Sequence, residues 1–428
     1  MPTLLLAGLQ LAGSGLTNVG AGLAPELGRA FQLTRLGFAP GQATCAARPG
    51  AGWRAQVVGT HPRYFLAPGW VTEALASSPP DAVLVCGPGF MAQPFLQQLQ
   101  PLRGRTRLAL YLPVEGEMSG DTLGGVLDLV DHCFLYTRDA LEGAKALSRR
   151  MEARDPAFRP PALAVVGHGF DSGSFRPLDQ PAGGERERRR AARRRRFPDR
   201  PELDDAFIVL NANRIAYRKR LDLTLEAFAR FARGKADARL CLHIARRSAE
   251  QERALRGQIE AAGLSGLVLI SPEARNDVLP VETLNLLYNA CDVGLTTSMG
   301  EGWGLGTFEH AATRAAQVVP DHTSFRENWA GAALLTETAE SEFIFYESTL
   351  MHAPRPEAAA AALERLYRNP EERERLAKSA YRRATAPVRR WRSVARRIAH
   401  EFGRQGPHRA RVTRYDAGSE EKYDARNR

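Results

Sequence analysis

The stretch CDVGLTTSMGEGWGLGTFEHAATRAA, residues 291–316, decides the fold assignment. Its apolar start, CDVGLTTS, indicates a buried strand, MGEGWGLG forms a loop, and a helix is expected to begin near Thr307. A strand, a glycine-rich loop and a helix in this order form the repeating unit of an open parallel sheet. Ligands bind such sheets at the carboxyl ends of the strands, where this loop lies.

Two acidic residues, Glu301 and Glu309, flank the glycines of this loop. The glycines at 302, 304 and 306 would let a phosphate approach the main chain at the start of the helix. A carboxylate repels phosphate, so each acid is expected to face neutral hydroxyl groups such as those of a sugar. Alternatively, the acids only favour the helix start, which is worth about 0.3–1 kcal/mol. The loop alone leaves both interpretations open.

A second candidate site lies in LNANRIAYRKRLDL, residues 210–223, which follows another predicted strand. Arg214 and Lys219 are five positions apart across a strand-to-helix loop, so both can point into a cleft and neutralise a departing diphosphate. Either residue alone would be interpreted as a surface cation ahead of an amphipathic helix. Two complementary sites at one sheet edge favour a shared ligand, and the parts of a nucleotide sugar match them.

The rest of the chain repeats the strand and helix alternation. Short apolar runs typical of parallel strands buried on both faces are TLLLAGL, RAQVVG, DAVLVCG, RLALYLPV, DHCFLYT, ALAVVGHG, AFIVLNAN, ARLCLHIA, GLVLIS and AQVVPD. The fold class predicted from this pattern is α/β, with two Rossmann-like doubly wound domains facing across a cleft. The expected divisions are an N-terminal domain (1–170), a hinge and basic linker (171–205), a C-terminal domain (206–380), a helix crossing back (381–402) and a disordered tail (403–428).

Composition limits the class of protein but does not name its function. A chain of 428 residues that is 44% hydrophobic has enough apolar material for two cores. Its five cysteines are widely spaced, which is typical of reduced core thiols and a cytoplasmic protein. No apolar run reaches the roughly 20 residues that a membrane-spanning helix needs, and we expect no exported form.

The formal charge of +11 is concentrated in ERERRRAARRRR, residues 185–196, which holds eight arginines. We call this segment the arginine block. It is expected to form an exposed basic helix without a partner, or a docking surface for the phosphates of lipid or nucleic acid.

Several stretches, in the right order over roughly residues 160–400, resemble the retaining GT-B glycosyltransferases often called family four or group one. EGWGLGTFE resembles their E-x7-E motif, and NRIAYRKRLDLTLEAFARF resembles their R-x4-K segment. VVGHGFDSGSFRPL is similar to their hinge, LNLLYNACDVGLTTS to the run before the motif, and RRWRSVARRI to their closing helix. The glycine-rich turn with Gly13 and Gly15 resembles their first loop, and YLPVEGE, with Glu115 and Glu117, lies where they often place a cleft residue.

The resemblance implies roles for the matching residues. Arg214 and Lys219 would hold the donor diphosphate, Glu309 the ribose hydroxyls and Glu301 the hydroxyls of the transferred sugar. The loop residues that would line the phosphate through their amides are Gly302, Trp303, Gly304 and Leu305, and Gly13 and Gly15 would contact the donor from the first domain. The family transfers the sugar with retention and without a metal or other cofactor, the nucleotide sugar being a co-substrate. The sequence also lacks a D-x-D pair, which clamps metal and diphosphate in other glycosyltransferases.

The predicted function is therefore transfer of a hexose from a nucleotide sugar to an acceptor that the sequence does not name, with a saccharide or lipid-linked glycan favoured. Two alternatives stay open, a GT-B enzyme that glycosylates nucleic acid bases and a catalytically silent nucleotide-sugar scaffold. The arginine block would serve the first alternative, or would hold the enzyme at the inner membrane surface. One departure from the family is Arg314, which replaces the glycine that ends the helix in a left-handed turn, at a cost of about 1 kcal/mol. His168 is expected to have a structural role in the hinge, and His61, His132, His310 and His322 show no metal-ligand spacing.

Overall fold

The computed structural model describes residues 1–11, 13–40, 54–178, 184–244, 248–271 and 279–404. These residues form two α/β domains, each built on a parallel sheet, so the predicted fold class is confirmed. A third, antiparallel sheet joins the two domains.

The first domain contains a seven-stranded parallel sheet in the order β3-β2-β1-β4-β5-β7-β8. Its elements are β1 (Thr3–Leu9), α1 (Gly15–Leu27), β2 (Gln32–Pro40), β3 (Ala55–Thr60), α2 (Gly69–Ser77), β4 (Ala82–Cys86), α3 (Gly89–Gln98), β5 (Arg107–Leu112), β6 (Glu117–Met118), α4 (Thr122–Leu127), β7 (His132–Leu135), α5 (Arg138–Arg154) and β8 (Ala162–Val165). The inner strands β4 and β7 are buried along their whole length, which explains their continuous apolar sequences.

The second domain contains a six-stranded parallel sheet in the order β11-β10-β9-β12-β13-β14. Its elements are α6 (Gly184–Arg196), β9 (Phe207–Asn211), α7 (Leu221–Ala232), β10 (Ala238–Leu242), α8 (Ala249–Ala261), β11 (Val268–Ile270), α9 (Val281–Ala290), β12 (Val293–Leu295), α10 (Leu305–Ala311), β13 (Ala316–Pro320), α11 (Thr323–Trp329), β14 (Leu334–Thr336), β15 (Thr338–Ile344), β16 (Thr349–Pro354), α12 (Pro356–Arg368) and α13 (Pro370–Ala384). The sheet order reverses between β9 and β12, so the loops after these two strands lie side by side at the carboxyl edge.

A hairpin of the second domain, formed by β15 and β16, pairs with β6 of the first domain. We call residues 338–354 the bridging hairpin. Leu350 lies opposite Glu117 in the antiparallel ladder, and the amides of Ser119 and Gly120 donate to the carbonyl oxygen of Ser348. An added Cβ on Gly116 would lie 2.5 Å from the carbonyl oxygen of Leu350, so only glycine permits this approach. The two domains are thus joined by main-chain hydrogen bonds far from the hinge.

The last helix, α14 (Trp391–Arg404), returns to the first domain and packs against α1. Phe402 makes edge contacts with Phe31 and Phe134 of the first domain, with ring centroids 6.0 and 5.4 Å apart. Trp391 fills the space beside Gly22 and Gly169, neither of which has room for a side chain. One apolar core therefore extends from the first sheet through α14 into the second domain.

The arginine block is a helix, α6, but one of its faces is buried, so the expectation of a fully exposed helix is wrong. Arg188, Arg189 and Arg193 are at most 6% exposed. They donate to carbonyl oxygens at the carboxyl ends of α9 and α10, as in the bond from Arg193 to Ala290 at 2.9 Å. Arg193 also pairs with Asp292 at 2.6 Å. Because the last carbonyl groups of a helix have no partner within it, the buried guanidinium groups satisfy them.

The other face of the arginine block carries less free charge than its sequence suggests. Arg186 and Arg190 pair with Asp205, and Arg194 pairs with Asp204. Within the described ranges, Arg195 is exposed and makes no hydrogen bond or ion pair. Much of the positive charge of the arginine block is therefore neutralised by partners within the second domain.

Arg314 has a φ of 61°, which confirms the expected left-handed residue at the end of α10. Its guanidinium lies 5.2 Å from the ring centroid of Tyr381, and its carbonyl oxygen accepts a hydrogen bond from Arg189 at 2.8 Å. These contacts offset part of the backbone strain.

Four of the five cysteines, at 86, 133, 241 and 291, are buried free thiols. Cys45 and most of the predicted disordered tail lie outside the described residues. None of the helices that the structure describes is both long enough and apolar enough to cross a bilayer.

Candidate functional site

The carboxyl ends of strands from both parallel sheets open into one cleft of about 1150 Å³. All ten residues to which the sequence assigns a catalytic or donor-binding role line it, namely Gly13, Gly15, Arg214, Lys219, Glu301, Gly302, Trp303, Gly304, Leu305 and Glu309. Of the two further candidates, Glu115 lines the cleft, whereas Glu117 does not and lies 3.0 Å from the His352 ring on the bridging hairpin. The structure therefore brings the glycine-rich loop, the basic segment and the first-domain turn to one place.

The loop after β12 passes close to the first domain before α10 begins. Gly304 has a φ of 84°, in the left-handed region, and α10 starts at Leu305, two residues before the predicted start near Thr307. An added Cβ on Gly302 would lie 2.8 Å from the Cβ of Pro113, and Gly300 is pressed against the main chain of Glu115. Two of these glycines are thus required by the close approach of the domains.

A chain of charged side chains spans the cleft. The Lys219 ammonium contacts the Glu301 carboxylate, and Arg218 lies 3.4 Å from Glu301 Oε2 and 2.6 Å from Glu115 Oε1. These four side chains are at most 13% exposed. Because Glu115 follows β5 and the other three belong to the second domain, the chain of charges links the domains.

Burial lowers the pKa of Lys219 well below its usual value, and the positive charges of Arg218 and Arg214 act in the same direction. The contact with Glu301 and the charge of Glu115 favour the charged ammonium and oppose this shift. A group held in this balance responds strongly to an incoming anion, because a diphosphate would favour the charged form.

Arg214 differs from its neighbours because it is exposed at the cleft wall. It makes no hydrogen bond or ion pair with any residue that the structure describes, and its charge lowers the pKa of Lys219. A guanidinium in this position is available to an anionic ligand without first breaking an existing pair.

Glu309 lies on α10, on the same side of the cleft, and accepts a hydrogen bond from the Tyr288 hydroxyl at 3.0 Å. Burial raises the pKa of Glu309 to about 7, the Tyr288 hydrogen bond lowers it, and the charge of Asp171 raises it further. The carboxyl is thus poised to ionise near neutral pH, and donated hydrogen bonds from a ligand would favour its charged form.

Gly13 and Gly15 form the first-domain side of this region. Gly13 has a φ of 73°, and an added Cβ on Gly15 would lie 3.3 Å from Leu305 Cδ1. The turn therefore faces the first residue of α10 across the cleft.

Trp303 is 5% exposed and packs as a pillar beneath the loop. Its ring stacks on Phe308 at 4.9 Å and on His168 at 5.6 Å, and the Arg389 guanidinium lies 5.1 Å from its centroid. The side chain supports the loop, and only its main chain suits the phosphate contact inferred from sequence.

His168 lies among the aromatic rings of Tyr136, Trp303 and Trp391 and lines the base of the cleft. Burial lowers its pKa to about 3, so the ring is neutral and unsuited to general acid catalysis at neutral pH. Within the described ranges, no group of three or more His, Cys, Asp or Glu side chains is arranged to hold a metal ion.

Sequence reasoning missed Arg218 and Tyr288, both of which contact predicted site residues. Arg218 immediately precedes Lys219 in a segment with three consecutive basic residues, so the sequence did not show which of them face the cleft. Tyr288 lies in LNLLYNACDV, two residues before the end of α9, and nothing in this stretch indicates the partner of its hydroxyl group.

Comparison with known families bears on the second domain. The family model described as "Glycosyl transferases group 1" matches residues 193–383. This range includes β9 to α13 and both charged loops of the cleft. A search of curated protein sequences found no match.

Solved structures resemble nearly the whole chain. HepE of Anabaena, in complex with UDP and glucose, superposes with a TM-score of 0.66 at 14% identity, covering 95% of this chain and 100% of that chain. An E. coli structure described as trehalose-6-phosphate bound with UDP-2-fluoro glucose gives a TM-score of 0.68 at 15% identity, covering 95% and 100%. Sucrose-phosphate synthase from Thermosynechococcus elongatus gives 0.67 at 15% identity, covering 94% and 98%. At these identities the likeness shows the GT-B fold.

Proposed function

Since residues 193–383 form a domain of the glycosyl transferases group 1 family, we propose that the chain transfers a hexose from a nucleotide sugar to an acceptor hydroxyl. UDP-glucose is the first donor to test, because similar structures hold UDP with glucose, or UDP-glucose itself. The reaction proposed is retaining and needs no metal.

The observation that carries the proposal is the placing of cations and acids in one cleft between two domains. Arg214 and Lys219 lie on the loop after β9, and Glu301 and Glu309 on the loop and helix after the neighbouring strand β12. Cations suit the diphosphate, and carboxylates suit the hydroxyl groups of ribose and hexose on either side of it. The two cations and two acids therefore supply the charges that the diphosphate and the sugar hydroxyl groups of a nucleotide sugar require.

Charge neutralisation is the chemical task of the two cations. When the bond between the anomeric carbon and the diphosphate breaks, negative charge develops on the leaving oxygen, and Arg214 and Lys219 would stabilise it. Lys219 would exchange part of its contact with Glu301 for the diphosphate, while Arg218 keeps Glu301 in place for the sugar hydroxyls. The same two cations would replace the metal used by other glycosyltransferases.

The proposed transfer is a same-face substitution. The acceptor oxygen forms the new bond to the anomeric carbon, the diphosphate leaves from the same face, and the acceptor proton passes to the leaving diphosphate. This route assigns no side chain as base, in keeping with the pKa of about 3 that burial gives His168, which makes its ring a weak proton acceptor.

The alternative functions gain little from the structure. Glycosylation of nucleic acid bases and docking on anionic membrane both relied on the arginine block, whose buried face and acidic partners leave Arg195 as its clearest free cation among the described residues. A silent scaffold would bind the same nucleotide sugar through the same residues, so turnover separates it from an enzyme. These alternatives are outcomes of the test below and not second proposals.

The test incubates the protein with a panel of UDP-, GDP- and ADP-hexoses in the presence of EDTA. Two quantities are measured for each donor, the thermal stabilisation of the protein and the release of the free nucleotide. A true donor at a hundred times its dissociation constant should stabilise the protein by about 2.7 kcal/mol. We expect Lys219→Ala to lower turnover by about a hundredfold or more. Lys235→Ala is the matched control, because Lys235 pairs with Glu364 outside the cleft.

Four results would contradict the proposal. Failure of every nucleotide sugar to stabilise the protein would exclude a donor site, and binding without turnover would favour the scaffold. Steeply salt-dependent binding to duplex DNA would favour the nucleic acid alternative. Activity that needs a divalent metal would refute the metal-free part.

A further inference from the structure

A second, smaller cavity opens beside the main cleft, where the bridging hairpin meets the first domain. Its volume is about 20 Å³, enough for one water-sized group. Phe90, Pro113, Glu115 and Tyr346 line both spaces, so the small cavity is a side pocket of the cleft.

Two hydroxyl groups of the bridging hairpin are buried here without partners. Ser348 and Thr349 line the small cavity, and each is 1% exposed. Neither hydroxyl makes a hydrogen bond to any group in the described part of the chain. A buried hydroxyl without a partner is unfavourable, so two of them on adjacent residues beside a cavity mark a place where a bound polar group, from water or from a ligand, would supply the hydrogen bonds.

The lining of the small cavity also defines the charge of that ligand. It includes Gln93 and Glu115, whose carboxylate pairs with Arg218, and no Lys, Arg or His. A phosphate or carboxylate would find no cation in this lining, whereas a neutral hydroxyl group can donate to one oxygen and accept from another.

Tyr346 provides an aromatic wall between the two spaces. The residue is 56% exposed, and its ring meets Phe90 edge-on with centroids 5.5 Å apart. The Tyr346 ring is held by its neighbour and is about half exposed to the cleft, so it is a suitable surface for the C–H face of a pyranose.

We propose that the bridging hairpin builds the acceptor end of the site, and that the acceptor is a neutral saccharide. A terminal hexose stacks on Tyr346 and places one hydroxyl or hydroxymethyl group between Ser348 and Thr349, while a different hydroxyl faces the donor. This inference rests on the proposed glycosyltransferase function and names its acceptor class. It also assigns acceptor recognition partly to the second domain, through a segment that crosses to the first.

The experiment measures saccharide binding without a donor, so that its failure is distinguishable from failure of the proposed function. Saturation-transfer difference NMR of the full-length protein is recorded with glucose, galactose, mannose, N-acetylglucosamine and glucose 6-phosphate. We expect ring C–H signals from at least one neutral hexose, and no gain from the phosphate group. Tyr346→Ala and Thr349→Val should each reduce the signal at least threefold, whereas Tyr346→Phe should keep it.

A matched pair separates recognition from structure. Thr349→Val keeps the shape of the side chain and removes an unpartnered hydroxyl, so Tm should stay the same or rise while saccharide binding is lost. Thr336→Val removes a buried hydroxyl that donates to Val319 O at 3.2 Å, so Tm should fall while the saccharide signal is kept. Once a donor is known, Thr349→Val should also lower the ratio of transfer to donor hydrolysis about tenfold.

The inference is overturned if no neutral hexose gives a signal, or if the signal survives both Tyr346→Ala and Thr349→Val. A lower Tm for Thr349→Val would show that its hydroxyl has a structural partner, and would equally refute it. Stronger binding of glucose 6-phosphate than of glucose would contradict the neutral lining.

Discussion

Ionisation of Glu309 should make the unfolding free energy of the protein depend on pH, and the substitution Glu309→Gln should remove this dependence. Burial raises the pKa of Glu309 from 4.5 to about 7. Between these values the folded protein keeps a proton that the unfolded chain has released, so stability is highest below the lower pKa and falls as pH rises through the higher one. At 1.36 kcal/mol per pKa unit, the loss is about 3 kcal/mol.

Glu309→Gln should remove this loss, because an amide is neutral at every pH and can still accept the Tyr288 hydrogen bond. Urea unfolding of the wild-type protein and of Glu309→Gln is measured between pH 4.5 and 7.5. The quantity of interest is the unfolding free energy of the wild type minus that of the variant, because the contributions of other titrating groups cancel in it. We expect that difference to fall by about 3 kcal/mol over this range.

Donor binding should lower the pKa of Glu309, which burial raises. If ribose hydroxyls donate to the carboxylate, UDP-glucose favours the ionised form, and its affinity should rise by up to about tenfold per pH unit below pH 7. Calorimetry in two buffers of different ionisation enthalpy would show release of about one proton at pH 6, and none from Glu309→Gln. A pH-independent affinity, or the same slope in both proteins, would refute the assignment of Glu309 to the ribose.

Three further substitutions test structural features of the fold. Arg193→Ala leaves buried carbonyl groups and a carboxylate without their partner, so it should lower the unfolding free energy measured in urea by about 3 kcal/mol or more. Its control is Arg195→Ala, at an exposed position, which should change this free energy by less than about 0.5 kcal/mol. Equal effects of the two substitutions would contradict the buried face of the arginine block. Arg314→Gly should stabilise the protein by up to about 1 kcal/mol by relieving its φ of 61°, and a loss of stability would mean that the side-chain contacts outweigh the strain. Gly116→Ala places a Cβ against the bridging hairpin and should reduce hydrogen-exchange protection of its amides, whereas Gly125→Ala, with no atom within 4 Å, should leave it intact.

The sequence predicted the parallel sheets well because their strands are buried on both faces. Each apolar run quoted from the sequence overlaps a strand, because a strand buried on both faces has a continuous apolar sequence that can be recognised without knowledge of its neighbours. Strand β2, QLTRLGFAP, escaped notice because much of it is only partly buried and polar residues interrupt it. The bridging hairpin was also missed, since its pairing with β6 depends on a contact between residues more than 200 positions apart.

Local sequence placed the candidate site residues at the right sheet edge but did not reveal their partners. Arg214 and Lys219 share a segment, yet Lys219 is buried against Glu301 and Arg214 is exposed. That difference depends on the path of the loop after β12, which no local pattern encodes. The same reason explains why the link from Arg218 to Glu115 appeared only in the structure.

The arginine block shows the opposite error, in which a strong local pattern misled. Eight arginines in twelve residues predicted solvent exposure, but carbonyl groups at two helix ends offered partners that the sequence of the block cannot show. Charge density alone therefore does not identify a binding surface for phosphates.

The ladder between the bridging hairpin and β6 is made of main-chain hydrogen bonds. It constrains the side chains little, apart from requiring glycine at position 116. Phe345 at the tip is 75% exposed and can change while the main-chain pairing between the two domains is kept. Under the proposed acceptor role of the bridging hairpin, variant libraries at this tip are a way to screen for new saccharides without disturbing the pairing of the two domains.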